Sequence, residues 1–281
     1  MILVTGAKGQ LGSDVVSELH KRYIECVGID IDNLDITDED AVNNYILNLK
    51  PASIIHCAAY TAVDRAEDEP ELCMLVNATG TENIAKACKE IDAEMIYIST
   101  DYVFPGCGDT AYEVDDPKDP LSIYGKSKLL GEEATLRHLD KYYIVRISWV
   151  FGSNGNNFVK TMLNLAKTKA ELGVVCDQVG SPTYTPDLAV LLTDMALSGK
   201  YGQYHATNEG FCSWAEFAAE IMSHSGSSCK IKPISTEEYP TKAVRPKNSK
   251  LAKTSLDKME FERLPGWKDA LTRHISKASL N

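Results

Sequence analysis

The sequence predicts an α/β fold, a doubly wound parallel sheet with a smaller α/β lobe interleaved into its second half. Three observations carry this expectation. Over residues 1–150, short apolar runs alternate with segments of helical periodicity. A glycine-rich turn, Thr5-Gly6-Ala7-Lys8-Gly9-Gln10-Leu11-Gly12, joins the first apolar run to the first helical segment. After Trp149 the alternation loosens, although strand and helix patterns continue. Strands that alternate with amphipathic helices form a parallel sheet covered on both faces, with right-handed crossovers.

The elements follow in order. Residues 2–5 are a short apolar strand that opens on glycine. Residues 11–21 are a helix, with Leu11, Val15, Val16 and Leu19 on one face. Residues 25–30 form a strand that ends at Asp30. Residues 37–49 read as a helix with Thr37 as its N-cap and acids in its first turn. Residues 53–57 are the third strand, and a long helical pattern covers 71–91 after Pro70. The fourth strand is 94–99, a helix spans 122–139, and 143–147 is the fifth strand. Further on, helices are expected at 157–168, 186–197, 213–224 (capped by Ser213) and 267–276. Strands are expected at 172–176 and 202–206, and 239–248 is a polar, proline-containing stretch. This divides the chain into a larger domain, 1–150 completed by about 184–208, and a smaller lobe of 151–183 with 209–281.

Composition narrows the function. The 29 Lys and Arg against 40 Asp and Glu give a formal charge of −11. Such a chain repels phosphate backbones and anionic surfaces, so neither nucleic acid nor membrane is an expected partner. The eight cysteines contain no C-x-x-C pair and the six histidines no H-E-x-x-H. The cysteines read as small buried hydrophobes in a reducing compartment, and no metal site is expected. The opening residues lack the pattern of a secretory leader, and no window of 18 residues is apolar throughout. The expected location is the cytoplasm.

The chemistry concentrates in four places. The Gly6, Gly9 and Gly12 turn lies between a strand and a helix, the setting of a Rossmann dinucleotide site. There glycine lets backbone approach a pyrophosphate, and the helix N-terminus supplies N–H donors. Asp30 ends the second strand 18 positions beyond Gly12. An acid there accepts from an adenosine ribose hydroxyl, which favours NADH. Lys8 within the turn favours NADPH instead, so the cofactor choice stays open. Tyr124 and Lys128 are spaced i, i+4 on one helical face, so an ammonium near the phenol should lower the phenol's pKa and ready it for proton transfer. Finally, Thr100 sits at the end of the fourth strand, where a hydroxyl could steady a substrate oxygen together with Tyr124.

A glycine turn, a strand-end hydroxyl and Tyr-x-x-x-Lys in this order resemble the short-chain dehydrogenase/reductase superfamily. The T-G-x-x-G-x-x-G turn and Asn77-Ala-Thr-Gly80-Thr81 resemble its extended branch, which acts mainly on nucleotide sugars. The likeness then narrows to the dTDP-4-dehydrorhamnose reductases. It rests on Ala58-Ala59-Tyr60-Thr61-Ala-Val63-Asp64-Arg-Ala66-Glu67, Ser99-Thr-Asp-Tyr-Val-Phe104 and Tyr124-Gly-Lys-Ser-Lys-Leu-Leu-Gly-Glu132. Arg146-Ile-Ser-Trp-Val150, Asn156-Asn-Phe158, Asp177-Gln-Val-Gly-Ser-Pro-Thr183 and Arg245-Pro246 extend it over nearly the whole chain.

This resemblance implies reduction of the 4-keto group of dTDP-4-dehydrorhamnose by NADPH or NADH. It implies a catalytic group of Thr100, Tyr124 and Lys128. It assigns Gly6, Gly9, Gln10, Leu11, Asp30, Asp35, Ile36, Ala58, Ala59 and Tyr60 to the cofactor, with Tyr124 and Lys128. Thr100, Asp101 and Trp149 fall to the substrate, and Arg245 is a candidate for its diphosphate because guanidinium pairs well with phosphate oxygens. A magnesium requirement and a homodimer are not readable from the sequence. His56 and Cys57 depart from the family's aliphatic third strand and read as packing variants. The acids Asp64, Glu67, Asp68 and Glu69 read as a solvated surface and helix cap. A dehydratase is disfavoured, since dehydratases of this branch carry Asp-Glu after the threonine and here Tyr102 follows Asp101. A nucleotide-sugar epimerase and a cofactor-binding regulator resembling the methionine adenosyltransferase beta subunit remain as rivals.

Overall fold

In the computed structural model, which describes residues 1–278, six parallel strands form the central sheet. They are β1 (Ile2–Thr5), β2 (Cys26–Ile29), β3 (Ser53–His56), β4 (Glu94–Thr100), β5 (Tyr142–Ile147) and β6 (Gly202–His205), in the order β6-β5-β4-β3-β1-β2. The chain leaves β1 toward β2, then returns to place β3 on the opposite side. That reversal opens a crevice beyond the carboxyl ends of β1 and β3.

Helices cover both faces, and the central strands β1, β3 and β4 are buried on both sides. On one face α1 (Gln10–Lys21) and α5 (Thr185–Met195) bury Leu11, Val15, Leu19, Leu188 and Leu192 against Val4, Ile96 and Val145. Arg22, the residue after α1, and Asp194 of α5 join them with an ion pair of 2.5 Å. On the other face α2 (Glu39–Leu49) and α3 (residues 70–90) bury Val42, Ile46, Ile84, Ala85 and Cys88 over Leu3 and Ile54. The helix α4 (Ile123–His138) packs beside α3 and β4.

Two expectations need correction. The cap of α2 is Asp38, not Thr37. The Asp38 carboxylate accepts from the Ala41 N–H at 3.0 Å, while Thr37 donates both its N–H and its hydroxyl to Asp35. A carboxylate is also the better partner for a helix N-terminus. Nor is α3 one uniform helix. It widens into a π-turn over Leu75–Thr79, where the Asn77 amide is diverted to Tyr60 and Ser127.

The remaining strands form smaller sheets. Glu171–Val175 pairs with Lys230–Ile234, Val150–Phe151 with Thr183–Tyr184, and Val179–Gly180 lies between Cys212–Ser213 and Asn248–Ser249. A second apolar cluster, including Phe151, Val159, Phe217, Ile221, Trp267 and Leu271, underlies them. No described helix is long and apolar enough to cross a membrane.

Candidate active site

The glycine turn shapes the floor of the crevice. Gly6 has φ of +64°, and a Cβ there would lie 2.7 Å from the Ala58 nitrogen. A Cβ on Gly12 would collide with the Gly6 carbonyl, so α1 can start this close to β1 only with glycine. Gly9 caps α1 without a side-chain bond, which leaves the helix's first N–H groups for a ligand. Gln10 braces the turn from the far side, since its side chain donates to the Asn156 carbonyl and accepts from Asn157.

A cavity of about 1080 Å³ runs from this turn along the strand ends. At one end it is lined by Gly6, Gly9, Gln10, Leu11 and Asp30, and by Asp35, Ile36, Ala58, Ala59 and Tyr60. The Asp30 carboxylate is oriented by the N–H groups of Lys8 and Ile31, both at 2.9 Å. The Lys8 ammonium turns outward to Asp32 at 2.6 Å, in an exposed pair. Tyr60 is held by Asn77 at its N–H and donates its phenol to Glu69 at 2.6 Å.

The other end gathers Thr100, Asp101, Tyr124, Lys128 and Trp149. Thr100 closes β4 and donates to Asp101 at 3.0 Å. Ser122 caps α4 by accepting from the Gly125 N–H, and a Cβ on Gly125 would strike the Tyr102 carbonyl. The first turn of α4 is thereby pressed against the end of β4, with Tyr124 edge-to-face on Tyr102 at 5.6 Å. Asp101 is 3% exposed, and among the described residues its Oδ2 has no hydrogen-bond partner. Burial pushes its carboxyl up to about 6, opposed in part by the Ser249 and Thr100 hydroxyls.

One electrostatic expectation fails here. Tyr124 is raised above the ordinary phenol value, first by burial and then by the Asp101 carboxylate. Lys128 does not lower it. The ammonium is itself 2% exposed, stands 4.1 Å from the centroid of the Tyr97 ring, and is pulled down to about 7 by burial. Desolvation outweighs charge–charge attraction for both groups. The neighbouring departures from the family pattern are quiet. His56 sits between the Thr5 and Thr81 hydroxyls and is lowered to about 3 by burial, and the Cys57 thiol is raised to about 12.

Trp149 adopts φ of +49° and stacks on Trp214, with ring centroids 3.7 Å apart. A Cβ on Gly180 would lie 2.9 Å from its indole, so glycine makes room for this ring. Trp214 also lines the cavity and was not singled out from the sequence; its one local signal is a large aromatic directly after the Ser213 cap. Arg245 does not line the cavity. Its guanidinium donates to Asp64 at 2.5 Å and to the Tyr102 phenol at 3.3 Å, so it borders the site through Tyr102. Of the other acids, Glu67 accepts from the Ile123 N–H at the start of α4, and Asp68 pairs with Lys242. Among the described residues no group of three or more His, Cys, Asp or Glu is placed to hold a metal ion. The side-chain-free cradle, the uncapped helix end and the oriented Asp30 together fit a dinucleotide.

Comparison with known proteins bears on the same point. Residues 1–280 match the RmlD substrate binding domain family. The dTDP-4-dehydrorhamnose reductase of Aggregatibacter actinomycetemcomitans is 42% identical over 284 residues, 96% of this chain and 96% of that protein. This chain belongs to the dTDP-4-dehydrorhamnose reductase family. It is an NAD(P)-dependent oxidoreductase of that type. The spore coat polysaccharide biosynthesis protein SpsK of Bacillus subtilis is equally similar, 42% identical over 99% of this chain and 98% of its own length. Among solved structures, the reductase of Clostridium acetobutylicum superposes with a TM-score of 0.97 at 43% identity, covering 99% of both chains. That of Bacillus anthracis, in complex with NADP, gives 0.96 at 42% identity and covers 98% of both.

Proposed function

We propose that this protein reduces the 4-keto group of dTDP-4-dehydrorhamnose to give dTDP-rhamnose, using NADPH or NADH. The observation that supports this most is the convergence of Thr100, Asp101, Tyr124 and Lys128 in the same cavity as the glycine cradle. The nicotinamide cofactor, when bound, supplies the hydride. The backbone of Gly6, Gly9, Gln10 and Leu11 holds the pyrophosphate, and Asp30 accepts from the adenosine ribose. Asp35, Ile36, Ala58, Ala59 and Tyr60 wall the rest of that half. Lys128 holds the nicotinamide ribose and orients Tyr124 beside it.

Tyr124 gives its proton to the keto oxygen, and Thr100 donates a hydrogen bond to the same atom. A phenol whose pKa burial raises stays protonated at neutral pH, which is the state a reduction needs. Asp101 and Trp149 hold the sugar. Arg245 takes the substrate diphosphate after exchanging Asp64 for it. Residues 151–183 and 209–281 form the substrate lobe on the larger domain, and the enzyme works in the cytoplasm.

The Bacillus anthracis relative holds NADP, whereas Asp30 beside the ribose site favours NADH; both belong in the assay. The test follows loss of reduced-nicotinamide absorbance with dTDP-4-dehydrorhamnose and with its GDP- and UDP-linked counterparts. Oxidation with the dTDP sugar is expected. Turnover only with another nucleotide would reassign the substrate, and no oxidation with any of them would end the reductase reading.

A further inference from the structure

Behind the reacting groups lies a buried acid that the chemistry above does not use. Glu132 is 2% exposed and one helical turn beyond Lys128 on α4. Its carboxylate accepts two hydrogen bonds from Arg146 on β5, at 2.8 and 2.7 Å, and one from the Ser99 hydroxyl on β4, at 2.5 Å. Ser99 directly precedes Thr100, and Ser99 and Arg146 are register partners between β4 and β5. Arg146 is wholly buried, and its remaining N–H groups go to the Val114 carbonyl, the His205 ring nitrogen Nε2 and the Gln203 side chain. One carboxylate thus ties the helix that carries Tyr124 and Lys128 to the strand end that carries Thr100 and Asp101. We propose that Glu132 is a positioning residue for the reduction, setting α4, and with it Tyr124 and Lys128, against the end of β4.

The surroundings of Lys128 favour this assignment. Facing the ammonium are Tyr97 from β4, His56 and Cys57 at the end of β3, Cys73 from α3 and, on its own helix, Tyr124 and Glu132. Burial keeps the two thiols, the two phenols and the imidazole neutral. Glu132, ion-paired to Arg146, is the anion that opposes the desolvation of Lys128. Beyond the ion pair stand His205, neutral through burial, and Lys118. A purely structural ion pair would be exchangeable for an apolar pair without consequence for Lys128; a positioning residue would not.

This inference rests on the reductase reading for its rate measurements but has a second readout that needs no turnover. Glu132→Gln is expected to move the alkaline limb of kcat/KM down by about one pH unit, the size expected for loss of a buried charge one helical turn away. The limb in cofactor affinity against pH, read by nicotinamide fluorescence, should move with it. Glu132→Asp should restore part of the shift. Because Glu132→Gln leaves Arg146 unpaired, Ser99→Ala serves as the variant that keeps the ion pair. It should lower kcat about tenfold, as a small misplacement of reacting groups does, with cofactor affinity unchanged. Unmoved limbs in Glu132→Gln, or wild-type kcat in Ser99→Ala if the first variant does not fold, would overturn the assignment. If the wild type reduces no keto sugar, the substrate reading has failed, and the pH dependence of cofactor affinity still decides the role of Glu132.

Discussion

Replacing Asp101 by asparagine should stabilise the fold while damaging the reaction. The carboxyl is 3% exposed, and burial carries its pKa from 3.8 to about 6. Each unit corresponds to about 1.4 kcal/mol, so the ionised form destabilises the native state by about 3 kcal/mol. The folded value lies above the unfolded one. The penalty is therefore absent when both states are protonated, develops as pH rises from 3.8 toward about 6, and is complete above that. Asparagine removes the titration but puts an amide where Oδ2 lacks a partner, which costs about 1 kcal/mol. A net gain of about 2 kcal/mol is expected at about pH 8, or roughly 4 °C in Tm for a chain of this size. The advantage over wild type should shrink by about 2 kcal/mol on going to about pH 4.5. Thermal unfolding followed by circular dichroism at the two pH values measures this, and steady-state kinetics should show a raised KM for the sugar nucleotide. A stability difference that is the same at both pH values would refute the buried-charge argument.

Other substitutions separate the parts of the site. Tyr124→Phe should lower kcat by about 10²- to 10⁴-fold with cofactor affinity intact, and a rate near wild type would remove the phenol from the chemistry. Gly12→Ala should weaken dinucleotide binding by about 10²-fold or more in a fluorescence titration, because the added Cβ meets the Gly6 carbonyl and displaces the turn. Trp214→Ala takes away the ring stacked on Trp149. An aromatic pair is worth about 0.5–1.5 kcal/mol beyond its burial, so the KM for the sugar nucleotide should rise roughly tenfold and the NADPH Kd should not change.

What could be read from the sequence was local. The glycine turn, Asp30 at a strand end and Tyr124 with Lys128 at helical spacing each depend on neighbours a few positions away, and the fold brings all of them to one cavity. The parallel sheet follows from the same alternation of strand and helix, whereas its strand order is a tertiary choice. What escaped was tertiary. Ser99, Glu132 and Arg146 lie on three different elements, and only the packing of α4 on β4 and β5 makes them a cluster. Trp214 reaches Trp149 because a short sheet holds Cys212–Ser213 beside Val179–Gly180. Arg245 reads as a candidate for a phosphate, and its pairing with Asp64, far away in the chain, could not be read locally. Thr37 reads as the cap of α2, but its hydroxyl goes to Asp35 and Asp38 takes the role.

The failed expectation about Tyr124 is the most informative of these, because it concerns the sign of an effect. A cation four residues away should lower a phenol in water, but neither group here is in water. Burial lifts Tyr124, lifts Asp101 to about 6 and drops Lys128 to about 7, so each shift favours the uncharged form. A site in that condition resists forming phenolate. Oxidising an alcohol would require phenolate to accept the proton, whereas reducing a ketone requires a phenol that still has one. The resting pocket thus holds the phenol protonated, the form a reduction starts from. Desolvation keeps the proton on Tyr124 in the resting pocket, and Lys128 is left to hold and orient more than to acidify.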